Sequence, residues 1–219
     1  MKASFLSYSM NAPRRALALS VLFAVLLLLP TAAALPGQSP PVILAFGNSL
    51  TFGLGVAERE SYPSRLQEIL DKNGYPHRVI NAGVSGETTA GGLRRIGWLL
   101  RQDPEIVILE LGANDGLRGL PLSGMYSNLE RIIKLCRERK AKVLLAGMKI
   151  PPNYGEAYTR QFEATFRRLA EQYKLNYMPF FLEGVAAKRE LNQPDGLHPL
   201  GPGYRIVAEK VWKFLKPML

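Results

Sequence analysis

The sequence predicts an α/β fold, a three-layer αβα sandwich built on a five-stranded, mostly parallel sheet. Three observations carry that expectation. Five short apolar runs alternate with stretches whose apolar residues recur at helical spacing. Runs without in/out alternation suit strands buried on both faces, which requires helices on both sides of the sheet. The segments after the first three runs are short and glycine-containing, as strand-to-helix turns at the carboxyl edge of such a sheet are.

In chain order, Lys2, Arg14 and Arg15 precede an apolar run at 16–29 that ends in Pro30 and Thr31-Ala32-Ala33-Ala34. This is the pattern of a secretory signal peptide. The run has 14 residues, short of the roughly 20 that a membrane-spanning helix needs. Cleavage is expected after Ala34, with an uncleaved N-terminal anchor as the alternative, and the lack of a following Cys excludes a lipoprotein. Residues 35–219, 219 − 34 = 185 in number, suit a single domain with a sizeable core. After a tether at 36–41, strands are expected at 42–46, 78–82, 106–111, 143–148 and 177–181. Helices are expected at 62–72, 88–101, 125–139, 156–173 and 202–214. Neither an internal repeat nor a long linker interrupts the alternation.

The formal charge is +10, and removing the three basic residues of the first 34 leaves +7 for the mature chain. A basic surface favours encounter with anionic lipid headgroups or cell-wall polymers and says nothing about chemistry. No nucleic-acid motif accompanies it, and the basic stretch 134–142 reads as a solvated helix C-terminus. Cys136 is the only cysteine, which excludes an internal disulfide and a cysteine-rich metal site. It shares the apolar phase of its helix with Leu129, Ile132 and Ile133 and is expected in the core.

The turns after the first three strands are Gly47-Asn48-Ser49-Leu50-Thr51, 83–88 and Gly112-Ala113-Asn114-Asp115-Gly116. A phosphate cradle is a poor reading of the first, because it lacks both G-x-G-x-x-G and G-x-x-x-x-G-K-[ST]. A serine nucleophile needs an imidazole to take its proton, a carboxylate to orient that imidazole, and donors for the oxyanion. Of the two histidines, His77 precedes the second strand at the edge opposite these turns, whereas His198 closes Asp195-Gly196-Leu197-His198 beyond the last strand. Three residues of separation let one turn hold the carboxylate against the ring. No G-x-S-x-G elbow is present around Ser49, which disfavours an ordinary α/β-hydrolase.

Together, the Ser49 block, Gly86, the Asn114 block and Asp195-Gly-Leu-His198 resemble the four blocks of the SGNH hydrolases, also called GDSL esterases. The segments 81–92 and 110–119 resemble the bacterial periplasmic thioesterase/lysophospholipase (arylesterase) subgroup. The resemblance spans nearly all of 35–219 and implies a flavodoxin-like sheet. It assigns Ser49 as nucleophile, Gly86 and Asn114 as backbone and side-chain oxyanion donors, and Asp195 and His198 as the rest of a triad. The residue types agree: Gly86 leaves its N–H open and Asn114 offers an amide hydrogen without a charge. One position departs from the family block, where Asp commonly precedes the serine. Here Asn48 keeps an acceptor and removes a negative charge beside the nucleophile, so activity is expected with a slightly less favoured imidazolium at His198.

Two loops, 116–122 and 148–154, are expected to wall an acyl pocket through Leu117, Leu120, Pro121 and Leu122, with Arg118 facing an anionic headgroup. The resulting expectation is an exported, periplasmic or secreted serine esterase that cleaves acyl esters or thioesters, lysophospholipids included, without metal or cofactor. A monomer is expected, with peripheral contact to an anionic membrane surface. The alternatives are a carbohydrate or cell-wall O-acetyl esterase and an inactive lipid- or glycan-binding relative.

Overall fold

The computed structural model describes Met1 and residues 39–219. The expected signal peptide, Met1 aside, and the first part of the tether lie outside the described residues. Residues Pro40–Leu219 form one compact unit. Its five strands are β1 (Val42–Gly47), β2 (Arg78–Gly83), β3 (Ile106–Glu110), β4 (Lys142–Ala146) and β5 (Asn176–Met178). They pair in the order β2-β1-β3-β4-β5, every pair parallel. Burial follows position in the sheet: β1 and β3 are buried throughout, while the edge strand β2 tolerates exposed Arg78 and Asn81.

The helices are α1 (Ser49–Phe52), α2 (Tyr62–Lys72), α3 (Thr89–Leu99), α4 (Ala113–Leu117), α5 (Leu122–Glu138), α6 (Glu156–Tyr173) and α7 (Gly201–Leu215). Local sequence explains their ends. Pro63 and Pro202 sit in the first turns of α2 and α7, where a missing N–H costs no helical bond. Thr88 caps α3 by accepting from the Gly91 N–H, and Lys174 ends α6 in the left-handed region at φ 49°. Helix α2 packs against α7, and α3, α5 and α6 pack in series. Their apolar faces cover the sheet and make the three layers. Cys136 is fully buried in that core, and burial pushes its thiol up to about 12.

Several boundaries differ from expectation for local reasons. Strand β5 stops at Met178 because Pro179 has no N–H for the ladder. Strand β4 stops at Ala146, yet Gly147 stays joined to that edge by donating to the Met178 carbonyl and accepting from the Phe181 N–H. Helix α5 starts at Leu122 rather than Met125, with Pro121 as its N-cap. Helices α1 and α4 are a single turn each and escape periodicity altogether.

Strand order reverses direction between β1 and β3, since the chain steps from β1 to β2 on one side and returns to β3 on the other. The connections leaving their paired carboxyl ends part there, which opens a crevice suited to ligands. The turns bearing Ser49 and Asn114 both leave the sheet at this point.

Candidate active site

Ser49 is the first residue of α1, in a turn shaped by its neighbours. The Asn48 side chain accepts from the Leu50 N–H at 2.9 Å, and Gly53 closes the turn at φ 85°. Gly83 abuts this turn so closely that a Cβ there would sit 2.1 Å from the Phe52 nitrogen. Ser49 is left 8% exposed. Across from it, His198 Nε2 lies 2.9 Å from Ser49 Oγ, and His198 Nδ1 lies 2.6 Å from Asp195 Oδ2. Asp195 Oδ1 accepts from the backbone N–H groups of Leu197 and His198 at 2.9 and 3.0 Å, so one tight turn organises both members. Burial raises the Asp195 pKa, but those two N–H donors and the His198 ring outweigh it and hold the carboxyl below its usual range. Gln193 ties this loop to the serine turn by donating to the carbonyls of Leu54 at 2.7 Å and Pro199 at 3.1 Å.

Gly86 and Asn114 face the same space. Gly86 adopts φ 75°, a conformation that costs glycine little, and its carbonyl accepts from Arg118 Nη2 at 2.9 Å. Asn114 donates one amide hydrogen to the Glu87 carbonyl at 3.0 Å, which leaves the second for a ligand. Next to it, buried Asp115 accepts from the Thr89 N–H at 2.8 Å and the Thr89 hydroxyl at 2.6 Å, pinning α4 to the start of α3. Ser49, Gly86, Asn114 and His198 all line one cavity of about 290 Å³. Asp195 stands behind His198, so all five residues singled out in the sequence converge.

The cavity wall corrects one expectation. Leu117, Met148, Ile150 and Pro151 line it, but Leu120, Pro121 and Leu122 do not. Leu120 is exposed, Pro121 caps α5, and Leu122 begins that helix and packs toward the core. Leu50, Leu54, Ala113, Leu182 and Leu197 complete the apolar lining, and Tyr154 links the two loops by donating to the Leu117 carbonyl at 2.8 Å. Arg118, expected to face a headgroup, is engaged with Gly86. His77 is buried near Glu105, at 3.4 Å, beside the amino ends of β2 and β3 and away from the cavity.

Glu110, the last residue of β3, was not among the residues expected at the site. It is 1% exposed and bonds the backbone and side chain of Asn48 and the hydroxyl of Thr51. Its signal was a charged residue ending an otherwise apolar strand, directly before a site turn. Among the described residues, no group of three or more His, Cys, Asp or Glu is arranged to hold a metal ion.

Comparison with known proteins returns one consistent answer. The model of the GDSL-like Lipase/Acylhydrolase family matches residues 45–206. Esterase TesA from Pseudomonas aeruginosa is 41% identical over 206 residues, covering 94% of this chain and 100% of the relative. Thioesterase 1/protease 1/lysophospholipase L1 from Escherichia coli is 35% identical over 202 residues, covering 92% and 93% respectively. A crystal structure of TesA superposes with a TM-score of 0.79 at 41% identity, covering 81% of this chain and 99% of that one.

Proposed function

The chain belongs to the GDSL-like lipase/acylhydrolase family, and on that premise we propose a serine esterase that cleaves acyl esters and thioesters through an acyl-enzyme on Ser49. The observation that carries this reading is the unbroken relay from Asp195 Oδ2 to His198 Nδ1, at 2.6 Å, and from His198 Nε2 to Ser49 Oγ, at 2.9 Å. Names of relatives, esterase and thioesterase/lysophospholipase, support the class of bond.

Ser49 Oγ attacks the acyl carbonyl and passes its proton to His198 Nε2. Asp195, held ionised, fixes the ring with its proton on Nδ1 and stabilises the imidazolium. The carbonyl oxygen gains charge as the tetrahedral intermediate forms. The N–H groups of Ser49 and Gly86 and the second amide hydrogen of Asn114 are the donors for it. Collapse releases the alcohol or thiol with the proton from His198, and water then repeats the sequence on the acyl-enzyme. The apolar cavity wall, with Leu54, Leu117, Ile150 and Leu197, suits an acyl chain.

Export rests on the charge and hydropathy pattern of residues 1–34, and a mature N-terminus at Leu35, read by intact mass of the periplasmic protein, would support it. Five large apolar side chains, Phe52, Leu54, Val84, Leu120 and Leu197, are exposed on the turns that follow β1, β2, β3 and β5. With the net positive charge they support peripheral contact with an anionic lipid surface, measured as salt-sensitive co-sedimentation with phosphatidylglycerol vesicles. The function itself is tested with p-nitrophenyl esters from acetate to palmitate. Hydrolysis that disappears in Ser49→Ala and increases with chain length supports the reading; activity retained in Ser49→Ala refutes it.

A further inference from the structure

Beneath the Ser49 turn lies a polar pair whose hydrogen-bonding sense is fixed. Asn48 Oδ1 accepts from the Leu50 N–H at 2.9 Å, so the amide cannot be reversed and Nδ2 must face Glu110. It donates to Glu110 Oε1 at 2.7 Å. On the other oxygen, Oε2, Glu110 meets the Asn48 N–H at 3.3 Å and the Thr51 hydroxyl at 2.8 Å. One carboxyl thus grips the residues before and after Ser49. Gly47 makes this possible, because a Cβ there would sit 2.5 Å from Glu110 Oε2 and 2.0 Å from Thr51 Oγ1.

Few other groups answer to Glu110. The hydroxyls of Tyr62 on α2, beside Thr51, and of Tyr204 on α7 face the same buried region, and neither is hydrogen-bonded to Glu110. From α3, Arg95 reaches the Gly47 carbonyl at 3.3 Å but spends its charge on Glu87. None of the ion pairs among the described residues includes Glu110. Burial pushes its carboxyl up to about 8, against the opposing pull of the Thr51 and Asn48 hydrogen bonds.

We propose that Glu110 is a positioning residue of the active site, paired donor-to-acceptor with Asn48 so that the turn holds Ser49 Oγ in reach of His198. The proposal rests on the reading of Ser49 as nucleophile and explains what an amide at position 48 does. A carboxyl at that position would set two acceptors 2.7 Å apart, an arrangement that requires a shared proton. The amide supplies its own hydrogen, and no proton is needed for the contact.

The test is an exchange of the two chemistries. In Glu110→Gln the side-chain amide must turn its NH₂ toward an Asn48 donor, whichever way it is flipped. We expect kcat, and the rate at which a fluorophosphonate labels Ser49, to fall about 10- to 100-fold with little change in KM. In the double variant Asn48→Asp, Glu110→Gln, the amide of residue 110 donates to the carboxylate of residue 48, and both rates return to within a few-fold of the parent. Asn48→Asp alone stays active near neutrality and loses rate on the alkaline side, where the shared proton dissociates, at a pH where the parent does not. Parent-like kcat in Glu110→Gln, or a double variant no faster than that single one, overturns the pairing. Should Glu110→Gln alone not fold, a folded and reactive double variant supports the pairing, and a double variant that also fails to fold overturns it. Labelling of the parent that persists in Ser49→Ala would instead overturn Ser49 as the nucleophile, a result distinct from failure of the Glu110 pairing.

Discussion

Asp195 and Glu110 are carboxyls on opposite sides of the Ser49 turn, and their surroundings drive them in opposite directions. Two backbone N–H donors keep Asp195 ionised, whereas burial without a cation favours the neutral form of Glu110. The first is suited to orient an imidazole that becomes charged; the second is suited to a structural contact. A stability signature follows from Glu110. Its folded pKa, about 8, lies above that of an unfolded carboxyl, so the native state binds more protons between those values. Its contribution is therefore fully present at low pH and is lost as pH rises through the folded value. Melting temperatures of the parent should carry a downward component from pH 5 to 8 that Glu110→Gln lacks; equal slopes in the two proteins would count against this assignment. At Asn114, truncation to Ala removes one of the proposed oxyanion donors and should lower kcat by about 10²- to 10³-fold, equivalent to roughly 3 to 4 kcal/mol. Wild-type turnover in that variant would remove Asn114 from the oxyanion site. That Ser49, Asn114, Asp195 and His198 would meet was legible in the sequence, because they fall in turns and match the spaced blocks of the family. Glu110 was not, because its role depends on a contact with Asn48, 62 positions away.

Among the elements, two single-turn helices carry much of the site while contributing little core. Helices α1 and α4 are held by what they touch: Gly83 against α1, and the Asp115–Thr89 bonds at α4. Periodicity could not reveal segments this short, although it located the five longer helices to within a few residues, since those bury amphipathic faces on the sheet. Two glycines separate these cases. In Gly83→Ala the new methyl meets backbone that cannot yield, so we expect folding to be lost or activity to fall more than about tenfold. Gly97, exposed in the last turn of α3 with nothing within 4 Å of a new Cβ, should behave oppositely. Gly97→Ala should leave kcat unchanged and stabilise the protein by up to about 1 kcal/mol, read by urea denaturation. A destabilised Gly97→Ala would mean that the face of α3 bearing Gly97 is not open to solvent.

At the scale of the whole molecule, the sheet order decides where chemistry can occur. Reversal between β1 and β3 opens the carboxyl edge where Ser49 and Asn114 emerge, and the loop after β5 brings His198 back across it. Alternating apolar and amphipathic segments made the layers legible from sequence, and the glycine-containing turns identified the edge. The cavity wall was less legible, because the exposed Leu120 and the cavity-lining Leu117 are the same residue type in one loop. Which leucine faces a ligand is settled by the path of the chain between α4 and α5. Whether these separated segments make one nucleophile of Ser49 is decided by intact and peptide mass after brief exposure to a fluorophosphonate. A single adduct is expected on the peptide containing Ser49, formed rapidly by the parent, slowly by His198→Ala and not at all by Ser49→Ala. An unmodified parent, or an adduct on another residue, would contradict it.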